Sequence, residues 1–218
     1  MPKQVDHEAR RTEIAEALFR IAGTRGLEGA SLRDVAAEAG ISLGRLQHYF
    51  RTRDEMLLFA LERMNHLAEA GIRKRIESLG REPTPHEVLR ESLLGMLPLD
   101  ERSRTGYLVG VAYFVRAVHD ESLGAHARAG IPNLRAFFAD QLRRAQDRGE
   151  VAAGRDPESE AMRLICLVEG LSSYVVLDVQ GAQDAVRLLD GQLAELFTAP
   201  PPSCRDGRSP RAGAPVPS

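Results

Sequence analysis

Arginine, glutamine and histidine side chains cluster near the end of the segment 31–50, SLRDVAAEAGISLGRLQHYF. A guanidinium such as that of Arg45 can donate two parallel hydrogen bonds to guanine, and the amide of Gln47 can pair in the same way with adenine. Each good pair contributes roughly 1–3 kcal/mol of discrimination between bases. Arg33, near the start of the segment, is a further candidate for a base or a phosphate. These residue types indicate chemistry directed at duplex DNA.

Two short amphipathic helices must position these side chains. Ser31 can cap the first helix, with Asp34 completing a shortened capping box. Gly40 stands where the chain needs a left-handed residue to leave that helix. Ser42 can cap the second helix, in which Leu46 and Phe50 face inward. The residues left facing outward are Leu43, Gly44, Arg45, Gln47 and His48. This arrangement predicts a helix-turn-helix, whose second helix lies in the DNA major groove.

The other polar residues of the motif are expected to bind the DNA backbone. Gly44 allows the DNA to approach closely, and the phosphate candidates are Ser31, Ser42, His48, Tyr49 and Arg53. Phosphate contacts set register and affinity but not sequence. Packing of the domain is the alternative role for Tyr49, and both roles stay open at this point.

The motif resembles the DNA-binding domain of the TetR family of bacterial transcriptional regulators. The string Leu46-Gln47-His48-Tyr49-Phe50 matches the end of that family's second motif helix, and Arg53 stands at its usual basic position. The resemblance extends from Asp6 to about Leu61 and includes Gly26, which ends the first helix. It implies a nine-helix protein that binds an operator as a homodimer.

Three positions depart from the family pattern. Many members carry lysine, threonine and tyrosine where this chain has Leu43, Arg45 and Gln47. The departures leave the fold prediction intact, but they imply an operator sequence that differs from the usual one.

The bulk composition favours an all-α protein. The chain has 218 residues, 43% of them hydrophobic, and strand-forming runs are scarce. The net charge is only −2, which is compatible with DNA binding because only the docking face must be positive. Cys166 and Cys204 fit neither a zinc pattern nor a disulfide framework. Since no signal peptide and no run of ~20 apolar residues is found, we expect a cytoplasmic protein without a membrane partner.

Nine helices are predicted along the chain. Outside the motif they fall at about residues 6–25, 53–79, 85–97, 101–118, 122–148, 157–178 and 183–197. Pro132 either kinks the helix at 122–148 or divides it into two. We predict a helix-turn-helix DNA-binding domain at 1–53, a helical effector-binding and dimerisation domain at 54–198 and a disordered tail at 199–218.

The last two helices are expected to pair two copies of the chain, because a single recognition helix contacts too few bases to be selective. Gly170 and Gly191 permit close helix contact there. The predicted pairing residues are Leu164, Val168, Gly170, Leu171, Val175, Val186, Leu189 and Leu193. Packing within one chain is the alternative for the same residues.

The middle helices are expected to hold a small-molecule effector, in a site that is mostly apolar with a few polar groups. The candidates are Met96, Tyr107, Val111, Phe114, Phe138, Cys166, Glu169 and Tyr174. Each has an alternative role in the core. Glu169 stands out because an acid among apolar residues needs a partner, either a cationic ligand or an arginine. The region resembles the C-terminal domain of the choline-sensing branch of the family, without implying choline as the ligand.

A small-molecule enzyme and a helical protein-binding adaptor are the competing classes of function. The six histidines never stand four residues apart, and neither a phosphate loop nor a nucleophile elbow occurs. His119 and His126 could share a helix face, where metal binding is the weaker alternative. We therefore expect no catalytic residue, no metal and no cofactor. The sequence predicts a regulator, a repressor by family default, that a small molecule releases from a palindromic operator.

Overall fold

The computed structural model describes residues 2–27 and 31–197. Within these ranges the chain forms nine α-helices and no strand, which confirms the predicted fold class. The helices are α1 (Pro2–Arg25), α2 (Leu32–Glu38), α3 (Leu43–Tyr49), α4 (Arg53–Glu77), α5 (Pro85–Met96), α6 (Glu101–Ala117), α7 (Glu121–Asp147), α8 (Pro157–Val176) and α9 (Ala182–Leu196). The predicted tail at 199–218, with Cys204, lies outside the described residues. No helix of the described ranges has the length and apolarity needed to cross a bilayer.

Side-chain caps define where most of these helices begin. At α5, Thr84 Oγ1 accepts the N–H of Glu87 at 3.2 Å, and Glu87 Oε2 accepts the N–H of Thr84 at 2.9 Å. Pro85 fills the first helical position, where its missing N–H costs nothing. At three further helices, a single side-chain oxygen caps the first turn; it belongs to Thr52 at α4, Asp120 at α7 and Asp156 at α8. Each cap satisfies an N–H group that the helix itself leaves unpaired.

Pro132 does not divide α7, so a single helix replaces the two shorter ones that were the alternative. The proline removes one hydrogen bond from the helix. The surrounding turns are exposed, and Ile131 keeps 52% of its surface in contact with solvent. Water can therefore satisfy the carbonyl that the proline leaves unpaired.

Two large apolar cores divide the molecule, and a smaller cluster of Tyr113, Ala117 and Leu123 lies between α6 and α7. The first joins α1, α2 and α3 to the beginning of α4 and to Val109 of α6. The second is formed by α5, α7, α8 and α9. Because α4 contributes Met56, Leu57 and Ala60 to the first core, the packing unit around the helix-turn-helix extends beyond residue 53.

The helices α4 and α6 connect the two cores. The two helices pack against each other, α4 also packs on α5, and α6 also packs on α7. Near the end of α4, Arg75 Nε donates to Glu91 Oε2 of α5 at 2.7 Å. The adjacent Arg90 pairs with Asp190 of α9 through Nε at 2.7 Å and Nη2 at 3.0 Å. Neighbouring ion pairs therefore link the end of α4 to α5 and α5 to α9.

Candidate nucleic-acid interface

The helix α2 begins at a reciprocal cap, as predicted from the sequence. The N–H of Asp34 donates to Ser31 Oγ at 3.3 Å, and the N–H of Ser31 donates to Asp34 Oδ2 at 2.8 Å. The Ser31 hydroxyl donates to the same carboxylate oxygen at 2.6 Å. Its proton is thus already used inside the cap, and a phosphate would have to compete for it.

The turn between α2 and α3 depends on a left-handed glycine. Gly40 has φ +66°, a conformation that residues with a Cβ adopt only at a cost. Its N–H donates to the carbonyl of Ala37 at 3.1 Å, and the N–H of Ile41 donates to that of Ala36 at 2.9 Å. These two hydrogen bonds form a Schellman motif. The motif fixes the angle at which the chain enters α3.

The helix α3 presents a polar face to solvent and an apolar face to the core. Ser42 Oγ accepts the N–H of Arg45 at 3.2 Å and caps the helix. Leu46 and Phe50 have no solvent exposure. Gly44, Arg45, Gln47 and His48 are exposed as predicted, whereas Leu43, which was also predicted to face outward, is half-buried. Arg33 of α2 is also exposed.

The buried end of α3 is held by an arginine placed between two aromatic rings. The guanidinium carbon of Arg11 lies 4.6 Å from the ring centroid of Phe50 and 4.3 Å from that of Phe59. Such cation–π contacts contribute about 0.5–2 kcal/mol, depending on how dry they are. On the other side of the motif, Arg20 Nε of α1 donates to Glu38 Oε1 of α2 at 2.7 Å. The motif is therefore fixed to α1 and α4.

Two predicted phosphate ligands also have contacts inside the domain. Arg53 is half-buried and donates through Nη2 to the carbonyl of Leu27 at 2.6 Å. Tyr49 is half-buried against the first core. The ring edge of Tyr49 and the remaining guanidinium nitrogens of Arg53 are the groups that DNA could still contact.

His7 was not singled out from the sequence, yet the fold brings it to α3. Its ring centroid lies 5.0 Å from that of Tyr49 and 6.2 Å from that of His48. The rings of His48 and Tyr49 lie 5.3 Å apart in an edge contact. No local pattern indicates this cluster, since α1 meets α3 only through tertiary packing.

A cleft of about 260 Å³ lies beside the packing contact between α1 and the helix-turn-helix. Its lining comprises Arg10, Glu13, Ile14, Ala39, Gly40, Ile41, Arg45 and Tyr49. A second concavity, of about 350 Å³, lies along α4 between His66 and Glu77. None of the predicted effector residues lines either space.

The predicted effector residues occupy different environments. Phe138 has no exposed surface and Met96 packs on the second core, so the core alternative is observed for both. The hydroxyl groups of Tyr107 and Ser173 lie 2.7 Å apart. The exposed candidates are Val111, Phe114, Cys166, Glu169 and Tyr174. Although Glu169 is exposed, the surrounding protein shields its carboxyl from part of the solvent, which raises the pKa of that carboxyl above its ordinary value.

Most of the predicted pairing residues are already covered within one chain. The second core buries six of the eight: Leu164, Val168, Leu171, Val175, Leu189 and Leu193. Val186 packs partly buried against the same core. Their assignment to a surface between two copies is corrected, because α5, α7, α8 and α9 pack these side chains against one another. Gly170 remains exposed, and a Cβ at this position would meet no atom within 4 Å.

Comparisons with known proteins agree with this architecture. The model described as "Bacterial regulatory proteins, tetR family" matches residues 14–59, and the model described as "BetI-type transcriptional repressor, C-terminal" matches residues 85–198. The HTH-type transcriptional regulator PksA of Bacillus subtilis is 38% identical over 185 residues, which cover 82% of this chain and 84% of that protein. The HTH-type transcriptional regulator BetI of Burkholderia cenocepacia is 29% identical over 176 residues, covering 78% and 84%. The crystal structure of a TetR-family regulator from Rhodococcus sp. aligns with TM-score 0.76 and 29% identity, covering 87% of this chain and all of that one.

A capped and exposed recognition helix, joined to a helical C-terminal part, defines a DNA-binding transcriptional regulator with a ligand-binding domain. The chain belongs to the TetR family of bacterial transcriptional regulators. The family and these relatives are transcriptional regulators and not enzymes. TetR regulators bind DNA operators and small-molecule effectors, typically as dimers.

Proposed function

We propose that this chain is a repressor that binds a palindromic operator as a homodimer and is released by a small molecule. The exposed face of α3 carries the proposal, because Arg45, Gln47 and His48 point to solvent while Leu46 and Phe50 anchor the helix. Arg45 and Gln47 contact base edges in the major groove, and Arg33 contacts a base or a phosphate. The backbone contacts come from Ser31, Ser42, His48, Tyr49 and Arg53.

Selection of bound duplexes from a random-sequence pool tests this assignment. The wild type is expected to enrich a palindrome whose half-sites lie about one helical turn apart, or a multiple of it. Arg45→Ala should lose roughly 5- to 150-fold in discrimination between that duplex and an unrelated one, since a bidentate pair contributes about 1–3 kcal/mol. Arg73→Ala is the matched control, because this exposed arginine of α4 is paired with Glu69. Unchanged selectivity of Arg45→Ala, with an intact circular dichroism spectrum, would contradict the assignment.

The pairing surface is proposed to be the exposed side of α8 and α9. Outside the second core these helices expose apolar residues, namely Met162 at 40%, Tyr174 at 53% and Leu188 at 52%. A Cβ added at Gly170 or Gly191 would meet no atom within 4 Å in the single chain. A second copy could therefore approach closely and form a four-helix bundle with the first.

A charged substitution at this surface tests the pairing of two copies separately from the folding of each copy. Leu188→Arg should convert the protein to a monomer in light scattering and weaken operator binding, because an arginine there would have to be buried unpaired. Leu79→Arg is the control, since Leu79 is 40% exposed just after α4. A Leu188→Arg variant that remained dimeric at micromolar concentration would rule out this surface.

The effector site is proposed to lie where α6 and α8 diverge. Arg104 of α6 donates to the carbonyls of Val175 at 3.3 Å and Val176 at 2.7 Å, and one turn later Tyr107 meets Ser173. The two helices therefore run antiparallel at this crossing.

Farther along the same stripe of α6, the side chains are not covered. Val111, Phe114 and Val118 follow Tyr107 at helical spacing, with exposures of 41%, 64% and 61%. Cys166 and Glu169 lie exposed on the preceding turns of α8. An apolar ligand with a polar group could fill the space between these two helices.

Release of DNA would follow from a population shift. At the end of α6, Arg116 forms a bidentate pair with Asp54 in the first turn of α4, at 2.9 Å through Nε and 2.7 Å through Nη2. A ligand that moves the end of α6 would therefore act on the start of α4, which adjoins the helix-turn-helix.

A screen for compounds that release the wild type from the selected duplex supplies the probe for this site. Phe114→Ala should raise the concentration of that compound needed for release by about tenfold or more, since a buried aromatic contact contributes about 1.5–3 kcal/mol. Leu99→Ala, a change at an apolar residue with 38% exposure before α6, should leave release unchanged. Equal behaviour of the two variants would contradict the proposed site.

A further inference from the structure

His7 joins the recognition helix to the beginning of α1. Its imidazole makes ring contacts with both Tyr49 and His48, at centroid distances of 5.0 Å and 6.2 Å. His7 and His48 are exposed and Tyr49 is half-buried. The three rings therefore form a surface cluster beside the outward face of α3.

We propose that His7 is a positioning residue of the DNA interface, which orients Tyr49 and His48 toward the phosphate backbone and adds a protonatable group to that contact. This inference rests on the proposed DNA-binding function. Tilted and edge-on ring contacts restrict how aromatic side chains rotate. A side chain that is ordered before binding loses less conformational freedom when it meets a phosphate.

Charged groups lie beside Tyr49 in the neighbouring cleft. Tyr49 lines the same cleft as Arg10 and Glu13 of α1 and Arg45 of α3, while α2 and the turn contribute only Ala39, Gly40 and Ile41 to that cleft. Arg10 and Glu13 pair at 2.6 Å.

A phosphate that contacts the imidazoles of His7 and His48 favours their protonated forms. DNA binding by this cluster is therefore coupled to proton uptake, and affinity should rise as the pH falls.

Three variants separate ring packing from charge. His7→Ala removes the ring and the charge, and His7→Phe keeps a ring without a charge. His86→Ala is the control. The ring centroid of His86 lies 4.9 Å from that of Phe197 in a comparable edge contact, and Phe197 packs against the second core. The probe is the palindromic duplex selected by the wild type, measured by fluorescence anisotropy at about pH 8 and about pH 6.

The wild type should bind more tightly at the lower pH. His7→Ala should bind about 5- to 10-fold more weakly than the wild type at about pH 6. His7→Phe should match the wild type within about twofold at about pH 8 and gain less on acidification. In a Tyr49→Ala background, His7→Ala should cost less affinity at about pH 8 than it does in the wild type, because the ring contact between the two residues is already lost.

The outcomes distinguish this inference from the proposed function. A wild type that selects no duplex would refute DNA binding itself. A wild type that binds while His7→Ala matches it at both pH values would overturn the role of His7. Retention of the full pH response by His7→Phe would also overturn it. Thermal unfolding of each variant identifies a loss of affinity that comes only from a loss of folding.

Discussion

The left-handed turn at Gly40 offers a sharp test of how the recognition helix is held. Gly40→Ala places a Cβ on a residue with φ +66°, and that Cβ meets no atom within 4 Å. The cost is therefore one of backbone conformation alone. For a residue with a Cβ the left-handed region costs roughly 1–2 kcal/mol, which is the expected loss in the free energy of unfolding.

Two other glycines supply controls at which alanine is expected to raise the free energy of unfolding instead of lowering it. Gly44 in α3 and Gly130 in α7 are exposed helical positions, where a Cβ also meets no atom within 4 Å. Alanine there should stabilise the protein by about 0.5–1 kcal/mol, because glycine loses more conformational freedom on folding. Gly130→Ala should leave DNA binding unchanged. Gly44→Ala should weaken it, because the added methyl group stands on the face proposed to meet DNA.

Urea unfolding followed by circular dichroism, at one fixed protein concentration, measures these changes. Binding to the selected duplex is measured on the same samples. If Gly40→Ala unfolded at the same urea concentration as the wild type, the left-handed turn would not be required. If Gly44→Ala kept full DNA affinity, the backbone of α3 would not approach the DNA closely.

Three further predictions concern the core, a cap and the contact between α4 and α6. Phe138→Ala should lower the free energy of unfolding by about 3–5 kcal/mol, measured in urea, because the ring is fully buried; a loss below about 1 kcal/mol would contradict its core role. The hydrogen bond from Arg81 and the N–H of Thr84 lower the pKa of Glu87 from 4.5 to about 2. The stabilisation from this carboxylate is therefore present above about pH 4.5 and lost as the pH falls toward about 2. In acid titrations, the difference in the free energy of unfolding between the wild type and Glu87→Gln should shrink over that range. A difference that stayed constant would refute the cap. Asp54→Ala should lower the free energy of unfolding by about 1 kcal/mol or less, since its partner Arg116 is half exposed. Arg116→Ala in that background should lower it little further. Additive losses in urea unfolding would show that the two side chains act separately.

Local signals predicted the helix-turn-helix closely because its determinants lie within a few residues of one another. The reciprocal cap of Ser31 and Asp34 and the left-handed Gly40 both formed as expected. Pro132 was ambiguous for a related reason. The penalty of a proline is local, but whether a helix continues through it depends on the packing of both halves.

Apolar spacing could not identify which partner covers a helix. In α8, Leu164, Val168 and Leu171 repeat at helical intervals, a pattern that fits a dimer surface and a folded core equally well. The structure shows that this stripe packs inside the chain. Two other apolar residues of α8, Met162 and Tyr174, are left exposed. The sequence contains both sets of residues, and only the tertiary contacts distinguish them.

His7 illustrates a different gap in what the sequence could reveal. A histidine near the start of a charged helix has the pattern of an ordinary surface residue. Its contact with Tyr49 requires that α1 cross α3 at one particular position. Nothing within either helix indicates that crossing.

The length of α4 has a mechanical consequence. Its 25 residues span about 37 Å at 1.5 Å per residue, with Asp54 held at one end and Arg75 at the other. A tilt of only about 5° around the far end would swing the near end by about 3 Å over that span. That travel is about the length of a hydrogen bond. A rigid rod of this size would therefore convert a small displacement in the body of the protein into a shift of the helix-turn-helix by about the length of a hydrogen bond.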